Sequence, residues 1–196
     1  KRHPIMSEKA MTAKNLNVTC IGAGVIGSGW AARLLVNGIN VTVFDKQPES
    51  YHRTNSSIKR AKKYLSQLTK APLRTIGNLT FAKSLEDALK IPNYIIESLP
   101  ENLQLKQHLY KKIEEISIDS IILSSTSGFK PTNLQKHMKN PKNLIVTHPF
   151  NPVYLMPLVE VVPGQARDQN IIDDVEHLLE YIGMVPIIIK KEIDAF

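Results

Sequence analysis

Short apolar runs alternate along the chain with longer stretches in which apolar residues recur every three to four positions, the pattern of strands and crossover helices in a parallel sheet. Strands are predicted over 16–21, 40–44, 93–97, 120–124, 143–147, 158–162 and 185–189, with a short extended piece at 79–82. Helices are predicted over 26–37, 50–70, 84–90, 101–116 and 168–182, and Pro131 pre-sets the start of a further short one. Gly38 stops the first helix, because glycine takes the left-handed cap conformation without steric cost. The expected architecture is a doubly wound α/β domain with a mostly parallel sheet and an antiparallel addition after Pro149. No repeat or long linker divides it, so one domain is expected over 15–196, preceded by an N-terminal extension, 1–14, outside the ordered fold.

Composition supports one globular domain and removes other classes. With 42% hydrophobic residues in 196, enough apolar surface exists to offset the entropy of ordering the chain. The longest apolar runs fall far short of the roughly 18 residues that cross a bilayer, so no membrane span is expected. A single cysteine, Cys20, cannot form an internal disulfide, and a reducing, cytoplasmic setting is the expectation. The net charge is +7, and 51–74 holds seven of the cations (Arg53, Lys59, Arg60, Lys62, Lys63, Lys70, Arg74) with no acid. That run reads first as the solvated face of one helix, with an anion site as the alternative. No aromatic-interleaved basic motif or zinc spacing points to nucleic acid or a metal; His177 and Glu180 read as helix surface.

Ligands of such sheets sit outside the carboxyl ends of the strands. The residues that follow the predicted strands are polar or glycine: Gly22 to Gly27, Asp45, Ser98 to Glu101, Ser124 to Gly128, and His148 to Asn151. Gly22-Ala23-Gly24-Val25-Ile26-Gly27 joins a predicted strand to a predicted helix, the context in which three glycines allow a tight turn and bring backbone amides against a pyrophosphate. Asp45 closes the next strand 18 residues beyond Gly27. A carboxylate there accepts from both hydroxyls of an adenosine ribose and repels a 2′-phosphate, so NAD is expected over NADP.

Oxidation of an alcohol by such a cofactor needs a base, and histidine titrates nearest neutral pH. Of the six histidines, His148 follows directly on a buried-type strand, in a turn stiffened by Pro149 and Pro152. Glu160 interrupts the apolar run 158–162, where a carboxylate is costly unless paired. A bond from His148 Nδ1–H to Glu160 would compensate it and leave Nε2 as the base. The same residues read equally as a turn histidine and an edge-strand carboxylate in solvent.

The Gly22–Gly27 turn, the segments Glu97–Lys106 and Ser124–Gly128, and His148-Pro149-Phe150-Asn151-Pro152 through Glu160 together resemble the NAD-binding domain of the 3-hydroxyacyl-CoA dehydrogenase family. The wording of the last two segments is most similar to the branch that oxidises L-carnitine. The resemblance implies a Rossmann-type fold, NAD as cofactor, His148 as base, Glu160 as its orienter and Ser127 bonded to the reacting oxygen. It further implies that Glu101 and Lys106 line the nicotinamide-ribose side, with Asn151 beside the nicotinamide. An acyl-CoA is the alternative substrate to L-carnitine, and a non-catalytic NAD-binding module is a third reading. Phe129, Phe150 and Tyr154 are candidates to face a quaternary ammonium, whereas Trp30 reads as packing. The family also implies a helical second domain, a catalytic Asn at its start and a homodimer. Asp194-Ala195-Phe196 carries Ala where the family has Gly, and on this reading residues 1–196 bind NAD but turn over little substrate.

Overall fold

A computed structural model describes residues 16–68 and 74–192. The extension 1–14 and Asp194–Phe196 lie outside the described residues. The chain runs β1 (Asn17–Ile21), α1 (Val25–Val36), β2 (Asn40–Phe44), α2 (Ser50–Leu68), β3 (Leu79–Phe81), α3 (Leu85–Ala88), β4 (Tyr94–Glu97) and α4 (Leu103–Ile116). It continues through β5 (Ile121–Ser124), α5 (Pro131–Gln135), a 3-10 turn, β6 (Leu144–Pro149), β7 (Leu158–Pro163), α6 (Gln169–Tyr181) and β8 (Val185–Ile188). The eight strands form one sheet in the order β3-β2-β1-β4-β5-β6-β7-β8. Strands β3 to β6 are parallel, β7 is antiparallel to β6, and β8 runs along β7. The strand order reverses between β1 and β4, and that switch point is where a doubly wound sheet opens a crevice.

Burial on both faces explains the continuous apolar strands. In β4, Tyr94 and Ile96 join the core that contains Trp30, Leu34 and Val175 on one side, while Ile95 joins Tyr110, Ile113 and Leu134 on the other. Each such aliphatic side chain contributes about 1.5–3 kcal/mol by leaving water. Helices α1 and α2 approach closely because the seam is small: Ala32 and Val36 meet Ala61, and Ser28 Oγ lies 3.2 Å from Ser57 Oγ. The buried Arg33 ties the two ends of the domain together. Its Nε donates to the Ile182 carbonyl at 2.9 Å, Nη1 to Tyr154 at 3.2 Å, and Nη2 to Gly183. Burial lowers its pKa.

Two boundaries differ from the periodicity in a way that matters. The helix expected from residue 101 begins at Leu103, because the Asn102 side chain accepts from Leu105 N at 2.9 Å and caps it. Glu101 is therefore outside the helix, not in its first turn, and its carboxylate is available for another task. The helix expected over 84–90 is a single turn, capped by Ser84 accepting from Asp87 N. Gly38 has φ +86°, with Asn37 as the cap residue before it.

Candidate active site at the carboxyl edge

The glycine turn is dictated by two close approaches and one open space. Gly22 has φ +86°, and a Cβ there would meet Ser98 O at 2.7 Å; a Cβ on Gly27 would meet Gly22 O at 1.8 Å. At Gly24 a Cβ would meet nothing within 4 Å. The chain itself demands glycine at the first and last positions, whereas the middle one keeps space clear for a group approaching from outside. That clearance, at the N-terminus of a 12-residue helix whose cap residue makes no side-chain bond, suits a dinucleotide pyrophosphate.

Asp45 stands beside the turn, where Oδ2 accepts from Ala23 N at 2.5 Å and Oδ1 from Gln47 N at 2.7 Å. Each oxygen retains a second lone pair for a ribose hydroxyl. A pocket of about 240 Å³ opens there, lined by Val43, Asp45, Lys46, Tyr51 and Phe81, with the Tyr51 and Phe81 rings 5.0 Å apart. Neither aromatic was picked out from sequence, since they lie 30 residues apart on different elements. Arg53, from the basic run 51–74, turns toward this edge and donates to Ala23 O at 2.9 Å. Lys59, Lys62 and Lys63 lie exposed on α2, a solvated face.

On the far side of the switch point, antiparallel pairing sets His148 of β6 directly opposite Glu160 of β7. Nδ1 and Oε2 are 2.8 Å apart, with the two side chains 19% and 24% exposed. A neutral imidazole bonded in this way carries its proton on Nδ1. The Phe150 ring centroid is 5.6 Å from that of His148, and Asn151 is exposed next to it. Ser127 is exposed on the loop after β5, whose shape is held by Glu101: Oε1 accepts from Ser127 N at 3.1 Å and Gly128 N at 2.7 Å.

Lys106 lies one layer further in. Its side chain is 1% exposed, and Nζ donates to Glu97 Oε1 at 2.8 Å and to Leu99 O at 3.1 Å, with Glu101 Oε2 at 3.7 Å. The lysine that resemblance places along a ribose is thus enclosed behind Glu101. Glu97, fully buried, also accepts from Leu99 N at 2.6 Å, Tyr110 Oη at 2.5 Å and Ser124 Oγ at 2.7 Å. Burial, and then the adjacent Glu97 carboxylate, push the Tyr110 phenol well above its ordinary range, which keeps it a donor. The resemblance rests on the segments that carry Glu97, Lys106 and Ser124 but does not imply that they pair in the interior with Tyr110, although an acid ending an otherwise apolar strand with a lysine nine residues later was a usable signal. Tyr154 packs on the α1–α2 seam against Ala32, Val36 and Ala61. Phe129 packs into the core under α5.

A glycine turn at the switch point, an acid closing β2 and a histidine–carboxylate pair beyond β5 define a dinucleotide-dependent dehydrogenase domain. The chain matches the NAD-binding domain of 3-hydroxyacyl-CoA dehydrogenase over residues 17–193, and it belongs to that family. It is 45% identical over 178 residues to an L-carnitine dehydrogenase of Mesorhizobium japonicum, covering 90% of this chain and 49% of that protein. It is 43% identical over 180 residues to an L-carnitine dehydrogenase of Oceanobacillus iheyensis, covering 91% of this chain and 59% of the relative. The chain thus spans about half the length of these curated relatives. Among solved structures, an NAD+-dependent dismutase, 5-formyl-3-hydroxy-2-methylpyridine 4-carboxylic acid 5-dehydrogenase, superposes with TM-score 0.84 at 32% identity, covering 92% of this chain and 59% of that one. The 3-hydroxybutyryl-CoA dehydrogenase of Escherichia coli does so with TM-score 0.79 at 27% identity, covering 88% and 38%. No helix among the described residues is long and apolar enough to cross a membrane.

Proposed function

We propose that this chain is the NAD-binding half of an enzyme that oxidises the 3-hydroxyl of L-carnitine to 3-dehydrocarnitine. The observation that carries the reading is the His148–Glu160 pair, 2.8 Å apart at the carboxyl edge of the sheet, in a chain more than 40% identical to L-carnitine dehydrogenases. When bound, NAD supplies the hydride acceptor. His148 Nε2 takes the hydroxyl proton as the hydride leaves C3, and Glu160 stabilises the imidazolium through Nδ1–H. The Ser127 hydroxyl donates to the reacting oxygen, and Glu101 holds that loop in place. Asn151 lies on the nicotinamide side, and Asp45 receives the adenosine ribose. Phe150, beside His148, offers an aromatic face to the quaternary ammonium of the substrate. The whole protein is read as a cytoplasmic homodimer; light scattering on the full-length chain tests the assembly.

The exposed lysines of α2 and the likeness to the Escherichia coli enzyme favour a second reading, oxidation of a 3-hydroxyacyl-CoA. NADH formation by the full-length protein with L-carnitine and with 3-hydroxybutyryl-CoA separates the two. Turnover with L-carnitine is the expected result; turnover of the thioester alone overturns it, and turnover of neither, with NAD still bound, favours the non-catalytic module.

A further inference from the structure

The turn that joins β6 to β7 carries Phe150 and Asn151 at its start and returns the chain to Glu160, and it is seated on α1 at three points. Val153 is fully buried, and a Cβ on Gly29 would lie 3.0 Å from its Cβ, so the glycine lets the turn approach the helix. The Tyr154 side chain packs against Ala32 and Val36. The Tyr154 carbonyl accepts from Arg33 Nη1 at 3.2 Å. Within the turn, Leu155 N and Met156 N both donate to Pro152 O, at 2.9 and 2.8 Å, which makes it one compact unit.

Arg33 holds a second turn as well. Nε donates to Ile182 O at 2.9 Å and Nη2 to Gly183 O, in the connection from α6 to β8. These three acceptors are main-chain carbonyls, so the guanidinium fixes backbone whatever side chains the turns carry. A planar fork reaches three carbonyls at once, whereas a lysine ammonium at the same position is a point donor and cannot span them. The side chain is 5% exposed, and a charge is tolerated in the interior only when its donors are engaged, so α1 and both turns are tied to one another. Arg33 lies eight residues beyond Val25, where α1 begins, or about 12 Å along the axis from the end that faces the pyrophosphate. The helix that bears the cofactor at one end thus bears the turn beside His148 on its flank.

We propose that Arg33 is a positioning residue for the oxidation: it sets the Phe150–Asn151 turn against α1, and with it the separation between substrate and nicotinamide. The inference rests on the function proposed above and adds a residue remote from the reacting atoms. Transfer between two bound reactants depends on that separation, since a misplacement of about 1 Å costs on the order of 10²-fold in rate. The test is steady-state oxidation of L-carnitine by the full-length protein, with NAD titrated calorimetrically so that rates are counted per NAD-binding site and unfolded chains drop out. Arg33→Lys keeps the charge and loses the span; kcat per site is expected to fall by about 10- to 100-fold, with the NAD dissociation constant within about twofold of the parent. Gly29→Ala retains Arg33 and pushes the turn off the helix by a few tenths of an ångström. A loss of about two- to fivefold in kcat per site is expected there, again at unchanged NAD affinity, and this variant decides if Arg33→Lys does not fold. Unchanged kcat per site in a folded variant, or NAD affinity that falls in step with kcat, overturns the assignment. A parent that oxidises 3-hydroxybutyryl-CoA and not L-carnitine overturns the carnitine reading alone, and the same ratios are then read with the thioester; a parent that oxidises neither overturns both.

Discussion

Glu97 and Glu160 are both carboxylates set in apolar strands, and both face a nitrogen that can carry charge, yet they serve opposite ends. Glu97 has no solvent exposure and accepts from Lys106, Tyr110, Ser124 and the Leu99 amide. A buried charge survives only when it is paired and its remaining lone pairs are engaged, so this cluster can hold a loop but not exchange protons with a substrate. Glu160 and His148 keep 24% and 19% of their side chains exposed and share one bond. The difference teaches how to sort the polar residues of this edge. Some complete the interior and should cost stability when changed; others face the cleft and should cost chemistry with the fold intact.

The largest expected effect is on the cleft side. On the function proposed above, His148→Gln in the full-length protein should lower kcat by about 10²- to 10⁴-fold, the range of general base catalysis, while NAD affinity and the melting temperature stay near those of the parent. Loss of NAD affinity in parallel would place His148 in the structural set. On the interior side, Glu97→Gln leaves the Lys106 ammonium buried without its carboxylate, and urea denaturation should show a loss of about 3–5 kcal/mol. Glu97→Met with Lys106→Met should recover part of that loss, because it removes both charges.

The glycines divide in the same way within six residues. Gly27→Ala drives a Cβ to 1.8 Å from the Gly22 carbonyl and should leave little folded protein by circular dichroism. Gly24→Ala meets no atom of the chain and should fold normally while titrating NAD far more weakly. The smallest effect is at Cys20, whose thiol burial pushes up to about 12 from 9.0. Its proton is lost from the unfolded chain first, so its contribution is complete below about pH 9 and declines as pH rises toward 12. Cys20→Ala should flatten the fall in stability across that alkaline window, and the native thiol should resist alkylation at pH 8.

Much of the fold was legible because strand and helix signals are local. The order of elements, the turn at Gly22–Gly27 and the acid after β2 all lie within short windows where periodicity and glycine spacing suffice. The helix expected from residue 101 starts at Leu103, because the Asn102 side chain accepts from Leu105 N, and periodicity does not show that capping bond. Tyr154 was set with Phe150 on proximity in sequence; its packing on the α1–α2 seam is decided by the turn after Pro152.

By itself, then, the amino-acid sequence determined a doubly wound domain, its dinucleotide turn and the identity of the histidine and carboxylate at its edge. Tertiary structure decided which polar residues face in and which face out. Lys106 and Glu101, five residues apart across a helix cap, separate into an enclosed ion pair and a loop clasp. Trp30, Ser98 and Ser125 meet from three elements. His148 meets Glu160 because β7 runs antiparallel to β6 in one register. Such encounters depend on strand order and pairing across the sheet, where a shift of one residue turns a side chain to the opposite face, and no short window of sequence carries that information.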